Sequence, residues 1–150
     1  MNLAHLCLRT AVVLGFIGFS MGFGMGVSQD FSLAPAHAHM NLLGWVSFFL
    51  YGAFYFLIPQ AAVGLLPRIH YILASIGTVV MVGGIAGIYL GYGAAFEPLA
   101  VGGSISVYAS FILFVFIVFR ATPLASLFGT SKNSDEVVQE TRTAQGVWAN

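Results

Sequence analysis

The sequence predicts an all-α fold, an integral membrane four-helix bundle with both termini cytoplasmic. Its composition, the length of its apolar stretches and the placement of its few charges carry that prediction. Hydrophobic residues fill 59% of the 150 positions and charged residues 7%, and the mean hydropathy is +0.92. A water-soluble domain of this size cannot cover itself with so few charges. The formal net charge of zero is therefore silent about partners, and only the positions of the charges are informative.

A bilayer core takes roughly 20 apolar residues of helix, and four stretches approach that length, residues 10–28, 38–58, 69–91 and 99–119. The breaks at 30–35, 59–68 and 93–98 each hold a proline and a polar or charged residue, as helix ends should. The first stretch also has features of a cleaved signal peptide, with Arg9 before it and the small-residue patterns Ala34-Pro35-Ala36 and Ala36-His37-Ala38 after it. Its apolar core is long for that role, and four spans account for the charges better than three. Residues 1–122 thus form the transmembrane domain. Residues 123–150, with Lys132, Asp135, Glu136, Glu140 and Arg142, form a polar cytoplasmic tail without an apolar face long enough to pack, and are expected to be disordered.

Orientation follows from the basic residues. Arg9, Arg68, Arg120 and Lys132 lie at the amino terminus, the second loop and the carboxyl tail, whereas Asp30 and Glu97 are the charges of the first and third loops. A multi-pass protein of a bacterial inner membrane, with its acidic loops outside, satisfies this pattern. Glycines recur every fourth residue at Gly18, Gly22 and Gly26 and again at Gly83, Gly87 and Gly91, a spacing that lets helix backbones approach closely in lipid. Packing within the bundle is the expected use, with a seam toward another protomer or a flat cofactor as the alternative.

Several functions are excluded or unsupported. The single cysteine, Cys7, removes internal disulfides, thiolate zinc sites and covalent haem attachment through CxxCH, and reads as apolar filler near the membrane surface. Nucleophile–base–acid sets, phosphate loops and nucleic-acid patches are absent, and no internal repeat marks a transporter.

The residues that remain are His37 and His39, in the run Pro35-Ala36-His37-Ala38-His39-Met40-Asn41 at the outer end of the second span. Ionisable groups in a span are costly and usually functional. A single interfacial histidine commonly does no more than bond headgroups or loop carbonyls, but a pair opening an otherwise apolar helix favours ligation of a metal or haem iron. The two side chains project about 200° apart on an α-helix, so they face two sites rather than chelate one metal. Below His37 run Asn41, Gly44, Tyr51 and Tyr55, a polar and small stripe. Below His39 run Leu43, Val46, Leu50 and Leu57, an apolar wall of the kind that keeps water from a porphyrin, with Trp45 and Tyr51 placed to edge it.

The segment from His37 to Pro59, HAHMNLLGWVSFFLYGAFYFLIP, resembles the tenth helix of subunit I of the haem-copper oxidases, where an HxH pair opens the helix near the outer surface and a proline closes it. The resemblance implies that His37 matches the ligand of the high-spin haem and His39 that of the low-spin haem. The second helix of the same family also begins with a haem-ligating histidine in a small-His-small setting, which His37 matches too. The family's copper site needs further histidines on two other helices. Here the others are His5 and His70, both expected on the cytoplasmic side as solvated or interfacial residues. No copper site is evident, and this chain alone should not reduce oxygen. Family subunits contain pseudo-equivalent groups of four helices, so a homo-oligomer of this chain would rebuild part of that arrangement.

The expected function is a small haem protein, carrying haem b, in respiratory electron transfer or diatomic-gas binding. Its partners are then the lipid bilayer and either a second copy or a larger respiratory complex. Met21, Met25, Met81 or a histidine of a second copy would complete the iron coordination. A non-catalytic structural or assembly subunit of a respiratory complex is the alternative. A channel lined by His37, Asn41, Tyr51 and Tyr55 lacks the intramembrane carboxylate that proton relays usually recruit.

Overall fold

The computed structural model describes residues 2–122 together with Gln139 and Thr141. The remainder of the expected polar tail lies outside the described residues. The chain divides into two units, Met1–Val118 and Phe119–Asn150, and the packing that positions the histidines belongs to the first. Among the described residues there is no strand. Four helices are long and apolar enough to cross a membrane: α1, Leu3–Ser28; α2, Ala34–Leu57; α3, Leu66–Gly87; and α4, Glu97–Ala121. The protein is thus all-helical with four candidate spans.

Each helix starts earlier than the apolar stretches predict. Asn2 caps α1 by accepting a hydrogen bond from the Ala4 amide at 3.1 Å, so the polar turn carrying His5 and Arg9 is helical from Leu3. Pro35 and Pro67, expected to fall in breaks, sit in the first turns of α2 and α3, and Pro98 is the second residue of α4. A first-turn proline lacks an N–H that would have no helical partner anyway. Pro59 does close a helix, opening a 3₁₀ turn, Pro59–Ala62, beyond the end of α2.

Two departures from α geometry were not legible as breaks. Met40–Ser47, inside α2, is π-helical, as is Ile88–Tyr92 beyond the end of α3. In the first, the Ser47 hydroxyl donates to the Leu42 carbonyl five residues back at 2.9 Å, the same reach as the i→i+5 backbone bonds of a π-helix. In the second, Gly91 at φ 93° takes a backbone conformation that side chains disfavour.

Close approach is specified at two seams. Along α1, Gly15, Gly18 and Gly22 receive Trp45, Asn41 and His37 of the antiparallel α2; a Cβ on these glycines would stand 2.9, 2.7 and 2.7 Å from the respective side chains. Along α3 and α4, a Cβ on Gly84 would enter the backbone of Ala100, and one on Gly103 the backbone of Met81. Ser106 ties the same pair together by donating to the Leu73 carbonyl at 3.0 Å. The expected repeats are therefore shifted. Gly18, Gly22 and Gly87 make contact, while Gly26, Gly83 and Gly91 face open space. Between the seams lies a core of Ala4, Cys7, Phe48, Tyr51, Tyr55 and Ala74, with Cys7 fully buried.

Adjacent glycines of α3 make this packing testable. Gly84→Ala drives a methyl into the α4 backbone and is expected to destabilise the bundle by about 1–3 kcal/mol. Gly83→Ala meets nothing within 4 Å and should be neutral or stabilising by up to about 1 kcal/mol, because it removes a glycine from a helix. Denaturant titration of both variants in detergent, read by circular dichroism, checks the contrast. Equal effects would show that the seam is not a close contact.

Candidate functional site

The structure separates the expected site residues into two groups and brings in one residue that sequence reading set aside. At the Asp30 end, His37 turns inward. Its Nδ1 lies 2.8 Å from the Gly18 carbonyl of α1. A carbonyl can only accept, so in this contact Nδ1 donates; Asn41 Nδ2 lies 3.2 Å from the same nitrogen. The ring rests where a side chain of Gly22 would otherwise be. Asn41, one turn further on, donates from Nδ2 to the His37 carbonyl at 3.0 Å. Its Oδ1 is buried without a hydrogen-bond partner and faces the place where a Gly18 Cβ would be, 2.7 Å away. The Gly18 Cα–H that stands there instead is at most a weak donor.

His39 turns outward and is exposed. Its Nδ1 donates to the Pro35 carbonyl at 2.7 Å, which fixes the ring against its own helix and turns Nε2 away from that bond. The two imidazoles therefore diverge, as their spacing predicts. The side of α2 turned away from the other helices carries exposed Leu42, Val46, Phe49 and Leu50, so the apolar wall expected near His39 is an outer surface. The adjoining loop holds Asp30, which accepts from the Ser32 hydroxyl and the Ser32 amide. Those bonds favour the charged form and hold its carboxyl below the usual carboxylate range.

Trp45 and Tyr51, expected to edge a slot beside His39, do otherwise. Trp45 lies over Gly15 and meets Phe19 edge-on at 4.8 Å, so it belongs to the α1 seam. Gly44 is also a seam residue; Leu14 occupies the space that its Cβ would take. Tyr51 lies fourteen residues beyond His37, roughly 20 Å along the helix, and packs edge-on against His70 with ring centroids 4.6 Å apart.

His70 is the correction that matters most. Expected to be solvated or interfacial, it is fully buried. Its Nδ1 is 3.0 Å from the Tyr55 hydroxyl, and its ring stacks on Phe114 of α4 at 5.1 Å and 24°. His70 Nε2 is buried with no hydrogen-bond partner. Whichever of the two atoms donates between Tyr55 and His70, one ring nitrogen is left unmatched. Sequence reading missed this cluster because it placed His70 by its distance from the helix end alone. The available signal was the Tyr51–Tyr55 pair four residues apart, which lines one face of α2 with hydroxyls that need a partner. His5, by contrast, is exposed.

Among the described residues, no three His, Cys, Asp or Glu side chains gather closely enough to hold a metal ion. Of the methionines weighed as iron ligands, Met25 and Met81 are buried in the bundle, and Met81 lies in the α3–α4 seam. In comparisons with known proteins, no family model, curated protein or solved structure matches this chain.

The Tyr55–His70 bond has a measurable weight. Tyr55→Phe leaves both ring nitrogens of His70 without a partner and is expected to cost about 1–3 kcal/mol of stability. Adding His70→Phe replaces the polar pair with apolar rings and should recover part of that loss. Unfolding midpoints of the two single variants and the double variant, completed as a cycle, give the coupling. Strict additivity would show that the bond contributes nothing.

Proposed function

We propose that this chain is a small haem-binding protein of the bacterial inner membrane. It carries haem b on His39 and serves respiratory electron transfer or the binding of a diatomic gas. An axial imidazole has to be neutral, held in one orientation and set in dry surroundings. His39 supports this reading through its fixed orientation. Its Nδ1–H is tied to the Pro35 carbonyl, which leaves Nε2 turned away from that bond, and exposed Val46 and Leu50 continue an apolar surface along the same helix. The anchored ring is the observation that carries the proposal.

The resemblance to haem-copper oxidase subunit I matches His37 to the ligand of a separate, high-spin haem. His37 is anchored in the same tautomer, by the Gly18 carbonyl, but its ring is held between α1 and α2. When bound, haem would supply a one-electron couple or an open coordination position. The chain's own part is to orient His39, to exclude water with the apolar face of α2, and to hold His37 against α1 through Gly22. His37 diverges from His39 into the α1 seam, and His5 and His70 belong to the opposite end of the bundle. In this reading His39 of a second copy would be the further residue that holds the haem; without it, the haem would be free to take up a gas. Both termini are cytoplasmic in this reading, which puts His37 and His39 at the outer face.

The full chain, purified in mild detergent and supplemented with haem, tests this by its oxidised and dithionite-reduced absorption spectra. His39→Ala is expected to abolish the Soret band, whereas His37→Ala should shift or weaken it. A sharp reduced α-band supports electron transfer, and a broad one supports gas binding. A colourless wild-type protein after haem supplementation would overturn the proposal and leave a structural subunit, packed through its glycine seams, as the better account.

A further inference from the structure

At the end of the bundle away from His37 and His39, a cavity of about 600 Å³ opens between the start of α1, the turn after α2 and the start of α3. Its walls are apolar, from Leu3, Leu6, Ala62 and Ile72. Tyr55 and Tyr71 also line it, but both hydroxyls already have partners. The Tyr55 hydroxyl bonds His70 at 3.0 Å, and that of Tyr71 bonds the Thr10 hydroxyl at 2.8 Å. Asn2, a further lining residue, commits its Oδ1 to the cap of α1.

That leaves Arg68. Its side chain is exposed, and it lines this cavity. The carboxylates among the described residues are Asp30 and Glu97, and both lie at the other end of the bundle, a helix length away. Arg9, exposed on α1, adds a second cation at the cavity end. A largely apolar chamber with its hydroxyls satisfied internally, and at its rim a guanidinium with no carboxylate of the described residues beside it, suits one ligand chemistry. It takes an aliphatic chain inside and an anion at the mouth, and offers little to a polar ring. The guanidinium fork matches phosphate oxygens two at a time.

We propose that this cavity binds an acidic phospholipid of the adjacent leaflet, its headgroup phosphate on Arg68 and part of an acyl chain against Leu3, Leu6 and Ile72. Basic pockets between membrane helices are suited to such headgroups. The site is independent of the haem reading and lies at the opposite face of the membrane.

Native mass spectrometry of the detergent-solubilised full chain tests it, with dioleoylphosphatidylglycerol, dioleoylphosphatidylcholine and oleate as separate probes. Phosphatidylglycerol is expected to be retained in preference to phosphatidylcholine. Arg68→Gln should lower retention of phosphatidylglycerol roughly fivefold, the effect of one basic residue near an anionic surface, and leave phosphatidylcholine unchanged. Ile72→Trp fills the cavity from an exposed position and should reduce phosphatidylglycerol binding while circular dichroism reports unchanged helix content. Equal retention of the two phospholipids, or a preference that survives Arg68→Gln, would overturn the proposal. Oleate retained through Arg68 where phosphatidylglycerol is not would overturn the phosphate assignment and identify a carboxylate lipid instead.

Discussion

The structure depends on how closely α1 and α2 approach. In lipid no hydrophobic effect drives helices together, so association rests on close packing and on polar contacts between backbones and side chains. Here the small side of the seam is Gly15, Gly18 and Gly22, and the large side is Trp45, Asn41 and His37. The approach does more than pack. It brings the Gly18 carbonyl, already part of the α1 hydrogen-bond ladder, within reach of His37 Nδ1. A Cβ at position 22 would stand 2.7 Å from the His37 ring, and one at 18 the same distance from the Asn41 amide, so either would displace those side chains. The glycines thus set the protonation geometry of the histidine as well as the helix spacing.

The π-helical stretch explains how three large side chains can share one seam. His37, Asn41 and Trp45 are spaced by four, and on an ideal α-helix two such steps drift about 80° around the axis. The wider turn of Met40–Ser47 rotates the helix back, so that Trp45 returns to the α1 side and lies over Gly15. A strict α-helix would send Trp45 round toward a neighbouring face. Rare π segments frequently occur at functional sites, and this one begins immediately after His39.

Much of the fold was legible because bilayer physics leaves few options. A span must be long, apolar and helical, and four such stretches are plain in the sequence. The divergence of His37 and His39 was legible for a similar reason, since both lie in the α-helical turn Ala34–His39, before the geometry departs from 100° per residue. Everything past Met40 was less secure. Trp45 and Tyr51 were assigned to a face by a period the helix does not keep, and Tyr51 was placed near a histidine that is a long way off along the helix. The burial of His70 was harder to read, because beside Tyr51 and Tyr55 it involves Phe114, more than forty residues later in the chain, stacked on the imidazole. Local sequence holds no trace of that contact.

The polar accounting of the bundle shows where its chemistry is concentrated. Most hydroxyls inside the spans bond a nearby carbonyl, as Ser20, Ser75, Ser104 and Ser110 do, which satisfies them locally. Two buried polar atoms of the described structure stand apart, Asn41 Oδ1 and His70 Nε2. An unmatched polar atom in a low-dielectric interior is costly, so each calls for a reason beyond stability. Asn41 stands one turn from His37, at the end that carries both imidazoles of α2. His70 stands behind Tyr55, whose side chain reaches both the buried imidazole and the apolar cavity. The bundle therefore tolerates polar imperfection toward both of its ends, within the α1–α2 seam at one and behind the wall of the cavity at the other.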